Sequence, residues 1–197
     1  MVCAAESEPK GESVNYLLLA CRMAIGLTFL VSLASKLRGR ESWLRFADAT
    51  ARLLPAHMGA LRAERRHALA AVVAVAEAAV VVLMTVPAME SAGFAVALAA
   101  LAAFSFVIHA AIRRGLAVPC HCFGGRKLPV GPADLARNAL LGLIALTGLA
   151  LTVLVPARGP AELAGAAVAA LAALLVTVLV VLTGEIADLF GLTRESR

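Results

Sequence analysis

Cys120 and Cys122 are the residues of this chain whose type and spacing best suit chemistry, because two thiols stand one residue apart. They lie in a polar segment at 115–134 whose glycines and prolines are typical of a turn-rich loop. Basic residues near the pair favour thiolates, the reactive form of cysteine. A disulfide between such close cysteines is strained, and strain raises its reduction potential. The sequence therefore predicts thiol–disulfide exchange by this pair, and leaves open which cysteine attacks.

Metal or haem handling is an alternative for the same segment, because His121 stands between the two cysteines. Cys120, His121 and Cys122 offer the thiolate and imidazole ligands that zinc and copper bind. A closed tetrahedral site needs a fourth ligand, which would have to be one of the three other histidines. A third alternative is a non-catalytic membrane subunit or small transporter in which the cysteines are incidental.

The composition places these residues in a membrane protein. Hydrophobic residues make up 61% of the 197 residues and charged residues only 16%, which is too apolar for an ordinary soluble domain. A membrane-spanning helix needs about 20 mostly apolar residues. Runs of alanine, leucine and valine lack the alternation of a barrel strand, so the sequence predicts an all-α, polytopic helical bundle in a lipid bilayer. Five windows meet the requirement, at 16–33, 67–86, 92–112, 135–155 and 163–182.

The windows divide the chain into four parts. A polar tail at 1–15 precedes a four-helix membrane domain at 16–155, and a fifth span at 156–183 precedes a second tail at 184–197. Within the membrane domain, 36–66 alternates basic and apolar residues, which predicts an amphipathic helix in the headgroup layer. The acidic first tail argues against a secretory signal, because such signals begin with basic residues.

The net charge of +5 reports membrane topology. The basic residues flank the spans and form no separate basic domain, so we expect no nucleic-acid partner. Twelve of them lie in or beside 36–66 and 115–134, on one side of the membrane, whereas the other side holds little beyond Lys10 and Arg158. The positive-inside rule therefore predicts a cytoplasmic location for the cysteine segment.

Ionisable residues inside membrane helices are costly and need an explanation. Arg22 and Glu77 would lie at similar depth in antiparallel first and second spans, which predicts an ion pair between them, although Glu77 could instead serve proton or quinone chemistry. His109 could act as a base toward a thiol or bind a quinone oxygen, with an interfacial location as the alternative. Arg137 and Asn138 could stabilise a thiolate or a carbonyl oxygen, or simply anchor the helix end.

The two remaining cysteines are not expected to take part in the chemistry. Cys21 has the character of a small hydrophobic residue within the first span. Cys3 and Cys21 approach the membrane from the side opposite the cysteine pair, so most of the bilayer separates them from it. The pair therefore lacks an internal relay and needs an external thiol partner.

These residues resemble the MauE family of methylamine-utilisation membrane proteins, which is grouped with DoxX-like four-helix bundles. The resemblance covers roughly 16–155, and its most specific element is the Cys-x-Cys-Phe-Gly sequence. The chain departs from the family pattern in its fifth span and in His121, where glycine is expected. The elements that carry the resemblance are Ser35-Lys36-Leu37-Arg38, Glu77, Cys120-x-Cys122-Phe123-Gly124 and Ala136-Arg137-Asn138.

The resemblance implies a multi-pass protein of the inner (plasma) membrane that assists disulfide formation in methylamine dehydrogenase. A thioredoxin-like protein would be the partner, and a likeness to vitamin K epoxide reductase suggests quinone as the electron acceptor. This function requires an oxidising, extracytoplasmic location for the cysteine pair, in conflict with the charge distribution. The residues expected to support the pair are Lys36, Glu77, His109, Arg137 and Asn138.

Overall fold

A computed structural model describes residues 9–53, 59–116, 130–155 and 162–189 of the chain. All regular structure in these residues is helical, which confirms the predicted all-α class. A short 3-10 turn at Pro87–Met89 joins the third and fourth helices. The helices are α1 (Pro9–Leu37), α2 (Arg40–Leu53), α3 (Gly59–Thr85), α4 (Glu90–Arg113), α5 (Pro132–Leu154) and α6 (Leu163–Leu189).

Within the residues that the structure describes, five helical segments are long and apolar enough to cross a membrane, which confirms the predicted number of spans. Several helices extend past the apolar windows, because polar residues can continue a helix into the headgroup layer. The chain is thus a multi-pass membrane protein. The five segments are Ser13–Leu37, Arg65–Thr85, Pro87–Arg113, Pro132–Leu154 and Leu163–Leu182.

The helices α1, α3, α4 and α5 surround a common apolar core. Ile25 of α1, Val80 of α3, Phe94 of α4 and Leu141 of α5 are almost completely buried in one cluster. The sixth helix follows α5 in the chain but packs mainly on α1. Four helices therefore form the bundle that holds the candidate site, and α6 covers the outer face of α1.

The amphipathic helix predicted within 36–66 is α2. Its Phe46 and Ala47 are buried against Ala70 of α3, while Arg45 on the opposite face is exposed. At its end, the Arg114 guanidinium donates a hydrogen bond to the Leu53 carbonyl over 2.8 Å. This contact places the end of α4 beside α2. We call this part of the bundle, where α1 and α4 end and α5 begins, the α2 end.

Close packing between α4 and α5 depends on a glycine. Gly148 of α5 is buried, and the ring of Phe94 lies so near that a Cβ atom at position 148 would clash with it. Gly142, six residues earlier on the same helix, has open space where its Cβ would stand. The two glycines therefore differ in function, because only Gly148 makes room for a neighbouring side chain.

We expect Gly148→Ala to destabilise the bundle by about 1–3 kcal/mol, because the added methyl group must displace the buried Phe94 ring. Gly142→Ala is the matched control, and it should be neutral or stabilising by up to about 1 kcal/mol, the usual preference for alanine in a helix. Thermal unfolding in mild detergent measures both. Equal melting temperatures for the two variants would contradict this packing, whereas recovery in Gly148→Ala/Phe94→Leu would support it.

Candidate functional site

A buried ion pair joins α1 and α3 near the α2 end. The Lys36 ammonium donates hydrogen bonds to both carboxylate oxygens of Glu77, over 2.6 and 2.7 Å. It also contacts the Ser32 hydroxyl over 2.8 Å, and that hydroxyl donates to Glu77 over 3.1 Å. Lys36 and Glu77 are 1% and 2% exposed. Two opposite charges thus share one compact network inside the bundle.

The sequence of α1 explains how Lys36 reaches Glu77. Thr28, Ser32 and Lys36 recur every fourth residue, so they lie on one face of the helix. That face points toward α3, where Glu77 is the acidic residue at the same level. The ring of Phe46 covers the ammonium from α2, with Lys36 Nζ 4.8 Å from the ring centre. The pair is therefore enclosed by three helices.

The predicted pair between Arg22 and Glu77 is wrong. Arg22 lies 3.7 Å from the Glu90 carboxylate and donates a hydrogen bond from Nε to the Met84 carbonyl. Glu77 of α3 instead lies beside Ser32 of α1, which is ten residues from Arg22 in the same helix. Ten helical residues correspond to about 15 Å. The prediction failed because it aligned the apolar windows, whereas the helices themselves begin and end several residues outside them.

Arg137 and Asn138 occupy the first turns of α5 and are buried inside the bundle. Arg137 Nη2 lies 3.6 Å from the carboxylate of Asp134, one turn earlier on the helix. Asp134 also accepts a hydrogen bond from the backbone N–H of Gly131 over 3.0 Å, which caps the helix. The Asn138 amide donates to the hydroxyl of Ser105 on α4 over 3.5 Å. Both residues thus face other helices instead of anchoring α5 at the membrane surface.

One cavity brings most of the predicted supporting residues together. The cavity wall includes Glu77, Arg137 and Asn138. Lys36 is not part of the wall, but its ammonium donates a hydrogen bond to Glu77. His109 is exposed on the outer face of α4 and does not line this cavity. The cavity lies between α1, α3, α4 and α5, and its wall consists of Thr28, Phe29, Ser32, Glu77, Leu101, Phe104, Ile108, Arg137, Asn138 and Leu141.

The cysteine pair at 120 and 122, and His121 between them, lie outside the described residues, so both the dithiol and the metal alternative remain predictions. The described flanks of that segment are informative, because Leu116 and Val130 pack in one apolar cluster with Ile108. The two described residues that flank the segment thus lie in the same cluster, at the α2 end.

The other potential metal ligands are dispersed. Within the described ranges, no group of three His, Cys, Asp or Glu side chains is close enough to hold a metal ion. His67 is exposed near the start of α3. Cys21 is 6% exposed in the core cluster, which confirms its interpretation as a small packing residue.

Sequence reasoning missed three polar residues of this region. Thr28 and Ser32 were overlooked because single hydroxyl residues are common in membrane helices. Their four-residue spacing from each other and from Lys36 was the signal that could have revealed them. Asp134 was overlooked because it stands just ahead of the predicted fourth window, whereas α5 begins at Pro132.

Comparison with known protein families gives one match. The family model described as "Methylamine utilisation protein MauE" matches residues 14–151, well over half of the chain. The matched region contains most of α1, all of α2 to α4 and nearly all of α5, including every residue of the cavity wall, and it ends before α6. No curated protein and no solved structure matches the chain.

We expect Lys36→Met and Glu77→Gln each to destabilise the protein, Lys36→Met by about 3–5 kcal/mol, because it leaves a buried carboxylate without its counter-ion. The double variant should lose less stability than the two single variants lose together, since neither buried charge remains. Unfolding in mild detergent, followed by circular dichroism, measures the cycle.

Arg45→Met is the control for this cycle, because it removes an exposed partner of Glu41 on α2. Exposed pairs at this spacing contribute only about 0.3–0.5 kcal/mol. Two results would contradict the buried pair. One is that the stability losses of Lys36→Met and Glu77→Gln add up in the double variant. The other is that Arg45→Met loses as much stability as Lys36→Met.

Proposed function

The chain belongs to the MauE family of methylamine utilisation proteins, and we propose that it supports disulfide formation in a client protein such as methylamine dehydrogenase. Cys120 and Cys122 are the proposed reacting residues, and a thioredoxin-like protein is the proposed partner. The inner membrane of the cell is the proposed location. The observation that carries the proposal is the dithiol within the part of the membrane domain that the family model matches.

The proposed reaction transfers two electrons from a client dithiol to a Cys120–Cys122 disulfide. A client thiolate attacks one sulfur of that disulfide, which forms a mixed disulfide and releases the other sulfur as a thiolate. A second client thiolate then attacks the mixed disulfide, so the client leaves oxidised and both cysteines are reduced. Reoxidation needs a two-electron acceptor, which is either the disulfide of the thioredoxin-like partner or a quinone that takes up two electrons and two protons to become a quinol.

The described ends of the cysteine segment support this chemistry. Leu116 and Val130 meet in one cluster, and Arg113 and Arg114 stand exposed at the end of α4 beside them. Cationic side chains near a thiol favour the thiolate that exchange requires. The positive charges of Arg113 and Arg114, close to Leu116 in the chain, are thus consistent with a reactive dithiol in the segment that follows.

Two features of the protein favour opposite sides of the membrane for the α2 end. Disulfide formation requires an oxidising compartment outside the cytoplasm. The basic residues around α2 and the end of α4 favour the cytoplasm for the same end of the bundle. Lys36 is one of these residues, and its charge is balanced by Glu77 inside the bundle, so it contributes less to topology than an exposed lysine. For disulfide formation in the client, the α2 end has to lie outside the cytoplasm.

We expect a membrane-impermeant maleimide to label Cys120 and Cys122 in intact cells only after reduction. The experiment uses a Cys3→Ser/Cys21→Ala protein, in which these two cysteines are the remaining ones of four. The reason is that an extracytoplasmic disulfide has no free thiol until a reductant opens it. Mass shifts of the purified protein measure the labelling.

The contrary outcome is equally informative. Labelling that occurs only after cell lysis would place free thiols in the cytoplasm and overturn the proposal. Metal content of the purified protein, and its loss in Cys122→Ser, would then identify the metal-handling alternative. A protein that is not labelled in intact cells and that contains no metal would support the third alternative, a non-catalytic membrane subunit.

Cys120→Ser and Cys122→Ser should each lower the disulfide content of co-expressed methylamine dehydrogenase by at least about tenfold, because exchange needs both sulfur atoms. Cys21→Ala is the matched control, since Cys21 is buried in the core and should leave client oxidation unchanged. Alkylation of free client thiols, compared at equal amounts of membrane protein, measures the effect. A larger loss in Glu77→Gln than in Cys120→Ser would instead indicate a transporter or structural subunit.

A further inference from the structure

The α2 end of the bundle exposes a set of arginines that we call the rim arginines. They belong to four different helices or to the residues next to them, and all are exposed. Toward the opposite end of the bundle, by contrast, the cation Arg22 lies 3.7 Å from the Glu90 carboxylate. The rim arginines are Arg38 just after α1, Arg40 at the start of α2, Arg52 near its end, Arg65 on α3 and Arg113 at the end of α4.

The rim arginines have no carboxylate partner in the part of the chain that the structure describes. The exposed acidic residues at the α2 end, within the same ranges, are Glu41 and Asp48. Each of these carboxylates pairs with a different arginine, since Glu41 lies 3.4 Å from Arg45 and Asp48 lies 3.0 Å from Arg66. The rim arginines are therefore positive charges that no described carboxylate neutralises.

The depth of the rim arginines indicates which anion they meet. At the α2 end, two membrane spans finish at Leu37 and Arg113, and another begins at Arg65. Arg38, Arg65 and Arg113 thus stand within one residue of a span boundary, which is the level of the phospholipid headgroups. Phosphate is the anionic group at that level, and a guanidinium matches it with paired hydrogen bonds. A soluble acidic protein would lie farther out, in water.

The outer side of α4 offers groups in the order in which a phospholipid offers its own. Phe106, His109 and Arg113 follow one another at spacings of three and four residues, so they lie on one side of the helix. All three are exposed, and Phe106 is 75% exposed. From the bilayer interior outward, this side presents an aromatic ring, an imidazole and a guanidinium. A phospholipid presents an acyl chain, an ester group and a phosphate at the same depths.

Two of the rim arginines belong to one corner of the bundle. The Arg114 guanidinium joins the ends of α2 and α4, because it donates to the Leu53 carbonyl over 2.8 Å and to the Ala110 carbonyl over 2.9 Å. Arg52 precedes Leu53 in the chain, and Arg113 precedes Arg114. Arg114 is thus engaged with backbone carbonyl groups, whereas Arg52 and Arg113 are exposed beside this contact and available to an external anion.

We propose that the rim arginines bind the headgroup of an anionic phospholipid of the phosphatidylglycerol class, with Arg52 and Arg113 as the principal contacts. Binding holds the α2 end at the headgroup layer through charge pairs that the lipid completes. The surface does not include the cysteine segment, and its occupation does not depend on the proposed disulfide exchange.

The test is quenching of tryptophan fluorescence by labelled lipid, with the purified full chain in vesicles. Trp43 is the only tryptophan and lies on α2, within the surface under test. The vesicles contain equal amounts of phosphatidylglycerol and phosphatidylcholine, and a doxyl quencher is attached near the headgroup of one lipid or of the other. We expect a preference for phosphatidylglycerol of at least about fivefold, which is the worth of one arginine near a charged membrane surface. High salt should reduce this preference, because it screens exposed charges.

The variants separate the rim arginines from the other positive charges of the α2 end. Arg52→Gln/Arg113→Gln should leave a preference of less than about twofold. Arg45→Gln/Arg66→Gln is the matched control, because it removes the same charge from arginines that already have a carboxylate partner, and it should keep most of the preference. Arg52→Lys/Arg113→Lys retains both charges and should also keep the preference, which separates loss of charge from loss of the fold.

Several results would overturn the proposal. These are equal quenching by the two labelled lipids, an equal fall in preference in the two double glutamine variants, and a preference that salt does not change. Loss of the preference on addition of soluble polyglutamate, at constant ionic strength, would instead assign the surface to an acidic protein. Because no client protein and no cysteine enters the measurement, failure here leaves the disulfide proposal standing, and failure of the labelling experiment leaves this one standing.

Discussion

The ion pair between Lys36 and Glu77 is the constraint on which the arrangement of the bundle depends. An isolated charge in the membrane interior is so unfavourable that each of these residues needs the other at hydrogen-bonding distance. A slip of α1 against α3 by one turn, about 5.4 Å, would leave both charges unpaired. The pair therefore fixes the register of the two helices, which apolar packing in lipid does not fix by itself. Phe46 extends the constraint to α2, since its ring lies over the ammonium.

The same pairing allows polar groups to stand around an open space inside the membrane. Two carboxylates and two cations lie near the cavity, and each carboxylate lies beside its own cation. The electrostatic field of such pairs falls off faster than that of single charges, so the cavity is polar in places but neutral as a whole. The hydroxyl and amide groups of Thr28 and Asn138 then provide the uncharged polar part of the wall. This arrangement differs from an ion pathway, in which unpaired charges would attract the ion that they conduct.

The sequence was sufficient to predict the helical class, the five spans and the amphipathic α2, because the bilayer imposes length and composition on each of them. It also identified Glu77, Arg137 and Asn138 as unusual, since polar residues in lipid need a reason. The sequence did not show which residues contact these three side chains. Partners depend on register, and register depends on helix ends such as Leu37 that extend past the apolar windows. His109 shows the same limit, because the sequence does not reveal which side of α4 faces lipid.

The contact between α6 and α1 has a consequence for the biogenesis of the protein. The Tyr16 hydroxyl accepts a hydrogen bond from the Glu162 backbone N–H over 3.2 Å, and the Tyr16 ring lies where a side chain at Gly165 would stand. Tyr16 belongs to the first of the described spans and Gly165 to the last of them. During synthesis, the face of α1 that carries Tyr16 therefore stays uncovered by α6 until the three described spans between them, and α6 itself, have been translated.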